Sequence, residues 1–256
     1  MILYRMNERF AQTSFSIELT RDGSPTLRFS EGGESMHHSE GAASETLYIY
    51  KNVIKKAFSC LNQCNVMVVG LGLGYIELSW ALELLKKDKK QSNEFVSNII
   101  SFEKDFELVN EFNNWLKGES KNKEIYDIIF KSLGGLDSDS HRIKSILIQN
   151  YKKYDFQNSL TTDTEPIMPF QLICFDAFSS KTNCNLWTED FLDNFLRKFC
   201  ANDCVFTTYA CTGALKRALI QNGFKVIKRP GFVGKRDSTL ALRGEFMTFE
   251  NFFRIF

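Results

Sequence analysis

Proline is scarce in this chain, 4 residues in 256, which argues against a disordered linker-like protein. No stretch approaches the roughly 18 uncharged apolar residues that a membrane-spanning helix needs. Met1 to Arg9 carries no apolar segment of the secretory kind, so the expectation is a cytoplasmic protein with no membrane partner. An excess of either charge is also missing: 32 Lys+Arg face 31 Asp+Glu for a net +1. The molecule as a whole is therefore no polyelectrolyte, and any nucleic-acid contact must come from a local patch. Cys-x2-Cys pairs are absent, and the 7 cysteines are odd in number and scattered. They read as reduced thiols, with no metal site expected. A zinc pairing of Cys60/Cys64 with Cys200/Cys204 is outweighed because each pair flanks the start of a buried strand.

What is present is ordinary for a folded protein: 43% hydrophobic residues, 24 Phe and a mass of 29.5 kDa. That size suits one domain with an appendage better than two domains. Residues 1–43 read as the appendage, with a hairpin (Ser14 to Thr20, Thr26 to Ser30) turned by Arg21-Asp22-Gly23-Ser24-Pro25. Residues 44–256 read as the main domain. Its first helix runs from Ser44, as a cap, to about Leu61.

Strands and helices then alternate. Strands are expected at Asn65–Gly70, Val96–Glu103, Arg142–Gln149, Phe170–Phe175 and Asp203–Tyr209. Helices are expected at about Tyr75–Leu85, Phe106–Leu116, Glu124–Leu133, Thr188–Phe199 and Thr212–Asn222. Parallel neighbours require crossovers, so this rhythm predicts an α/β fold with a mostly parallel sheet covered on both faces. Phe224–Lys228 and Ser238–Arg243 have no helix between them, which predicts an antiparallel last strand. That layout is the Rossmann-like one of class I methyltransferases.

Gly70-Leu71-Gly72-Leu73-Gly74 follows the first core strand and opens a helix. Backbone without Cβ turns sharply and lets a ligand approach its amides. A dinucleotide turn would want Gly or Ala at position 75, where this chain has Tyr75; a tight turn with no ligand is the plain alternative. Glu103 ends the second strand, where a doubly wound sheet places an acid beside a ribose held at the first turn. It could instead be a solvated carboxylate paired with Lys104. Asp176 ends the Phe170–Phe175 strand, and all three strand ends should converge on one crevice. A carboxylate there can orient an amine or accept its proton, or simply cap a helix.

Around Asp176 the sequence resembles a known family. Phe175-Asp176-Ala177-Phe178-Ser179, Asn183 and Leu186-Trp187-Thr188 are similar to the pattern D-[AG]-F-[SA]-P-x-x-N-P-x-[LM]-W-T of the tRNA 5-methylaminomethyl-2-thiouridine methyltransferases. Ser44-Glu45-Thr46-Leu47-Tyr48-Ile49-Tyr50 resembles its E-E-[ST]-x-Y-V-F, and Ile100-Ser101-Phe102-Glu103-Lys104 its I-S-F-E-K. The likeness runs in order from about residue 36 to 245, through Thr207-Thr208-Tyr209 and Pro230-Gly231-Phe232-Val233-Gly234-Lys235-Arg236.

The resemblance implies a methyltransferase that moves the methyl of S-adenosyl-L-methionine onto the amine of 5-aminomethyl(-2-thio)uridine at the tRNA wobble position. It implies Gly70, Gly72, Gly74, Glu103, Asn150 and Glu45 as cofactor-binding residues and Asp176 as the catalytic one. The partner would be the anticodon stem-loop of tRNA, with a functional link to the enzymes that install the aminomethyl group. With 256 residues, the expectation is the stand-alone type without the fused oxidase. Departures from the pattern are Val68 and Leu73 in the first motif, Gln149-Asn150 for a Gly-Asp, and Ser180 and Cys184 for its two prolines. Asn150 can still accept a hydrogen bond through its carbonyl oxygen.

Thr212 to Arg236 carries Lys216, Arg217, Lys225, Lys228, Arg229, Lys235 and Arg236 with no Asp or Glu. This patch suits phosphates, with Lys216, Arg217, Lys235 and Arg236 the chosen RNA contacts, although a solvated helix face reads the same way. Tyr209 is placed to stack on the flipped uridine or merely to pack, and Trp187 to anchor packing. Adjacent His37 and His38 point in different directions and make a poor metal pair. Two other activities use related motifs: aminopropyl transfer of the spermidine-synthase kind, opposed by the basic segment, and NAD-dependent oxidoreduction, opposed by Tyr75. A tRNA-binding protein with a decayed cofactor turn is the non-enzyme reading.

Overall fold

Short apolar runs buried on both faces build the centre of the molecule. In the computed structural model, which describes residues 15–29, 33–89, 95–151, 160–234 and 237–254, two strands form a hairpin and six form the main sheet. The hairpin pairs β1 (Phe15–Leu19) with β2 (Pro25–Phe29). The main sheet holds β3 (Val66–Val69), β4 (Ile99–Phe102), β5 (Phe170–Phe175), β6 (Cys200–Thr208), β7 (Lys225–Pro230) and β8 (Asp237–Arg243) in the order β4-β3-β5-β6-β8-β7. Pairing is parallel from β4 to β6, and β8 runs antiparallel between β6 and β7.

Side chains alternate along a strand, so each sheet face has its own core. Val66, Val68, Leu172 and Cys174 face one cluster; Met67, Val69, Ile173 and Phe175 face the other. The second face is covered by α6 (Glu189–Phe199) and α7 (Gly213–Gln221). In α6, Phe191, Leu192, Phe195, Leu196 and Phe199 recur at helical spacing, and the Thr188 hydroxyl caps the first turn by accepting from Phe191 N–H.

The first face takes α1, α2 (Tyr75–Lys89), α3 (Phe106–Lys117), α4 (Lys123–Ser132) and α5 (Ser140–Tyr151). Helix α1 runs through Ala42–Thr46, widens into a π-helical turn at Leu47–Lys51 and continues as Asn52–Cys60. Its first turn is capped from the hairpin rather than by Ser44. Ala42, Ala43 and Ser44 donate their N–H groups to Thr20 Oγ1, Ser24 Oγ and Asp22 Oδ2. These are the groups a helix start leaves unpaired. Phe15, Ile17 and Leu27 also join the main core, so the hairpin shares its interior with the helices. The chain continues past β8 into α8 (Glu250–Arg254).

One expected strand is a helix. Arg142–Gln149 lies within α5, because Ile143 and Leu147, four residues apart, are both fully buried. The β-branched isoleucines suggest a strand, yet the burial follows a helical period. Among the described residues β4 is thus the sheet's edge. No helix among them is long and apolar enough to cross a membrane.

Candidate active site

Register sets the site. Val69 pairs with Phe102 and with Phe175, and Cys174 with Thr207. One residue beyond the strands, Gly70, Glu103, Asp176 and Tyr209 therefore stand in a row along the carboxyl edge. Backbone bonds extend the ladder that far: Gly70 N–H donates to Phe102 O at 2.9 Å and Asp176 N–H to Val69 O at 2.8 Å. A cleft of about 720 Å³ opens over this row, within the usual range for a small-molecule site.

The glycine turn forms one wall. Gly70 has φ +98°, and a Cβ there would lie 2.6 Å from the Asp176 carbonyl oxygen, so the turn packs directly on the end of β5. Gly72, φ +52°, would meet only Met36 Sδ at 3.4 Å, leaving its backbone exposed to the cleft. Glu103 fastens this turn: its Oε2 accepts from Gly72 N–H at 3.2 Å and its Oε1 from Asp105 N–H at 3.0 Å. Burial pushes the Glu103 carboxyl up, while those two donors pull it down. Val68 and Leu73, where the chain departs from the motif it resembles, are core residues exposed by 0% and 1%. Their identity changes packing rather than the cleft lining.

Asp176 is half-buried and lines the cleft. Tyr50 donates its hydroxyl to Asp176 Oδ1 at 2.5 Å. Tyr209 donates to Ala177 O at 2.8 Å. Burial, then the charges of Asp176, Glu34 and Glu45, push the Tyr209 phenol above its ordinary range, so it stays protonated. Glu45 is buried, lines the cleft and accepts from His38 N–H at 2.8 Å. His37 and His38 also line it, with His37 bonded to Thr26 and edge-on to Tyr75. On the far rim, Thr182 donates to Glu34, joining the loop after β2 to the loop after β5. Trp187 anchors that second loop, donating Nε1–H to Phe178 O at 2.7 Å and packing on Phe175.

The remaining expected site residues fall elsewhere. Asn150 does not reach the cleft; it lies in the last turn of α5 and its amide donates back to Ile146 O at 2.8 Å. The basic segment is not one patch. Arg229 is fully buried, Arg217 pairs with Glu189 at 2.7 Å, Lys225 pairs with Glu250 and Lys228 with Asp237. Lys216 is exposed on α7. Lys235 and Arg236 lie outside the described residues. The expected patch counted charges along the chain, whereas acids from distant segments meet them in space.

Comparison with known proteins fits this geometry. A family model described as S-adenosyl-L-methionine-dependent methyltransferase matches residues 155–244. The tRNA 5-methylaminomethyl-2-thiouridine biosynthesis bifunctional protein MnmC of Campylobacter hominis is 25% identical over 201 residues, 75% of this chain and 27% of that protein. The protein of the same name from Hahella chejuensis is 37% identical over 67 residues, 26% of this chain and 10% of that protein. The chain thus spans about a quarter or less of the length of these curated relatives. The solved structure of MnmC2 from Aquifex aeolicus superposes with a TM-score of 0.63 at 24% identity, covering 94% of this chain and 75% of that one.

Sheet order, glycine turn and family match define a class I S-adenosyl-L-methionine-dependent methyltransferase. Within that class the chain is similar to the MnmC proteins named above. The cofactor fits the residues present. The open face at Gly72 leaves room for a close-lying ligand, and Glu103, wired to that face, is the carboxylate that would offer acceptors to ribose hydroxyls.

Proposed function

We propose that this protein methylates the primary amine of 5-aminomethyl(-2-thio)uridine at the tRNA wobble position. The observation that carries the reading is Asp176, a carboxylate at the cleft floor, one residue past a core strand and in backbone contact with the cofactor turn. When bound, S-adenosyl-L-methionine supplies an electrophilic methyl group on a sulfonium. No covalent attachment to the protein is required, so the chain's task is placement of a neutral amine. Asp176 grips the amine and takes up its proton as the nitrogen becomes alkylated. Tyr209 and Phe178 give the mouth aromatic surface for a base withdrawn from its stack. Glu45, beside the turn, orders the cofactor pocket through His38.

Support also comes from the named activity of the relatives. The test is incubation of the purified protein with S-adenosyl-L-methionine and tRNA carrying 5-aminomethyluridine, followed by mass spectrometry of nucleosides. One added methyl on that nucleoside with the wild type, and none with Asp176→Asn, is expected. Cofactor binding without methyl transfer, or an unimpaired Asp176→Asn, defeats the proposal.

A further inference from the structure

Tyr50 and Asp176 are 126 residues apart in sequence and meet because α1 changes pitch. A π-helical turn leaves a carbonyl without its ordinary helical partner. Here the carbonyl of Ile49, next to Tyr50, accepts from Thr207 Oγ1 at 2.7 Å and from Arg229 Nη1 at 3.1 Å. Arg229 is held in turn by Ser238, Thr207, Thr208 and Thr239. The turn is thereby tied to β6, the strand that leads into Tyr209, and Tyr50 is delivered to the end of β5.

We propose that Tyr50 is a positioning residue for Asp176, fixing the orientation of its carboxylate and holding it ionised for the substrate amine. This rests on the amine-methylation reading above. Tyr50 stands where the family pattern quoted above ends in Phe, and a Phe ring has no hydroxyl to donate. A hydrogen bond to the charged form of a carboxylate favours that form, and a charge-assisted O–H···O⁻ bond is among the stronger ones.

The surroundings make the contribution needed. The charge of Asp176 reaches Tyr209, just past β6, and Cys174 from β5, and the same cleft is lined by Glu34 and Glu45, whose charges also reach Tyr209. With Glu103 on the same lining, three further carboxylates in one cleft favour protonation of a fourth. Lys104 lines the same cleft, and Arg229 acts on Cys174 from behind the π turn. Burial, with the Asp176 charge, pushes the Tyr50 phenol well above its ordinary range. It therefore remains a donor at every working pH.

The test reads the free protein. With carboxyl-¹³C aspartate, the Asp176 signal is assigned by its loss in Asp176→Asn and titrated in wild type and Tyr50→Phe. The expected result is a midpoint raised by about one pH unit in Tyr50→Phe. The acid limb of the kcat/KM profile moves equally, and KM for S-adenosyl-L-methionine changes less than about twofold. A fluorinated tyrosine at position 50, a stronger donor of nearly the same shape, moves the midpoint downward. Identical Asp176 titrations in all three proteins overturn the proposal, whatever the rates do. If the midpoint moves while aminomethyl-tRNA is not methylated, the substrate reading fails and the positioning role stands.

Discussion

Gly70 and Asp176 meet backbone to backbone, with room for a hydrogen but not a methyl group between them. Gly70→Ala therefore combines left-handed backbone strain with a collision against a strand end that cannot retreat. The expected loss is at least about 2 kcal/mol, a Tm lower by roughly 5 °C or more, with displacement of Asp176. Gly72→Ala meets only a flexible Met36 thioether, so its cost to folding is about 1 kcal/mol. Because the added methyl fills the cleft face of the turn, cofactor affinity should fall about tenfold or more. Calorimetric melting and titration of both variants check the contrast; equal effects of the two on Tm would remove it.

Glu103 fastens the glycine turn and is also the proposed ribose acceptor. Glu103→Gln replaces one carboxylate oxygen by an NH2 group, which must oppose either Gly72 N–H or Asp105 N–H. An acceptor pair for the ribose and one lock on the turn are lost together. The dissociation constant for S-adenosyl-L-methionine should rise about tenfold or more, equivalent to ~1.4 kcal/mol. Isothermal titration reads it directly, and an unchanged constant would detach Glu103 from the cofactor.

Much of this molecule is legible in its sequence, for reasons that differ from segment to segment. Val66–Val69 and Phe170–Phe175 are short apolar runs between turn residues, so strand type and parallel layout are readable, and with them the convergence of Gly70, Glu103 and Asp176. Arg142–Gln149 is misread because isoleucine fits a strand and a buried helix face alike; only the burial of Ile143 and Leu147 decides. Asn150, whose role rested on that strand, went with it. Tyr50 sits within a quoted motif, yet its bond to Asp176 depends on a π turn whose support, Arg229, comes from β7. Local spacing carries no signal for such a contact.

Three basic residues of one segment should behave in three ways. Arg229→Lys keeps the charge but cannot serve Ser238, Ile49, Thr207, Thr208 and Thr239 at once. It should cost about 2–3 kcal/mol of stability and leave the salt dependence of tRNA binding untouched. Lys216→Ala, on the exposed face of α7, should leave Tm unchanged and reduce the slope of log K against log salt by about one. Arg217→Ala should have a smaller effect on that slope, since Glu189 already neutralises the guanidinium. Binding assays over a salt series, beside melting curves, separate them; a slope that moves with Arg229→Lys would restore the single-patch picture.

Glu77 provides the pH dependence. It lies in the first turn of α2, fully buried, accepting from Ser101 Oγ at 2.6 Å, while its Oε2 has no partner among the described residues. Burial pushes its carboxyl from 4.5 up to about 8. The native state thus binds a proton that the unfolded chain releases across this interval. Stability from the neutral carboxyl is fully present below the unfolded value and is lost as pH rises through the folded one. Glu77→Gln keeps an acceptor for Ser101 and has no proton to lose. Its stability relative to wild type should therefore grow by up to about 1.4 kcal/mol per pH unit between about pH 5 and 8. Urea denaturation at several pH values measures this gap, and parallel curves for the two proteins would show that Glu77 is ionised in the fold.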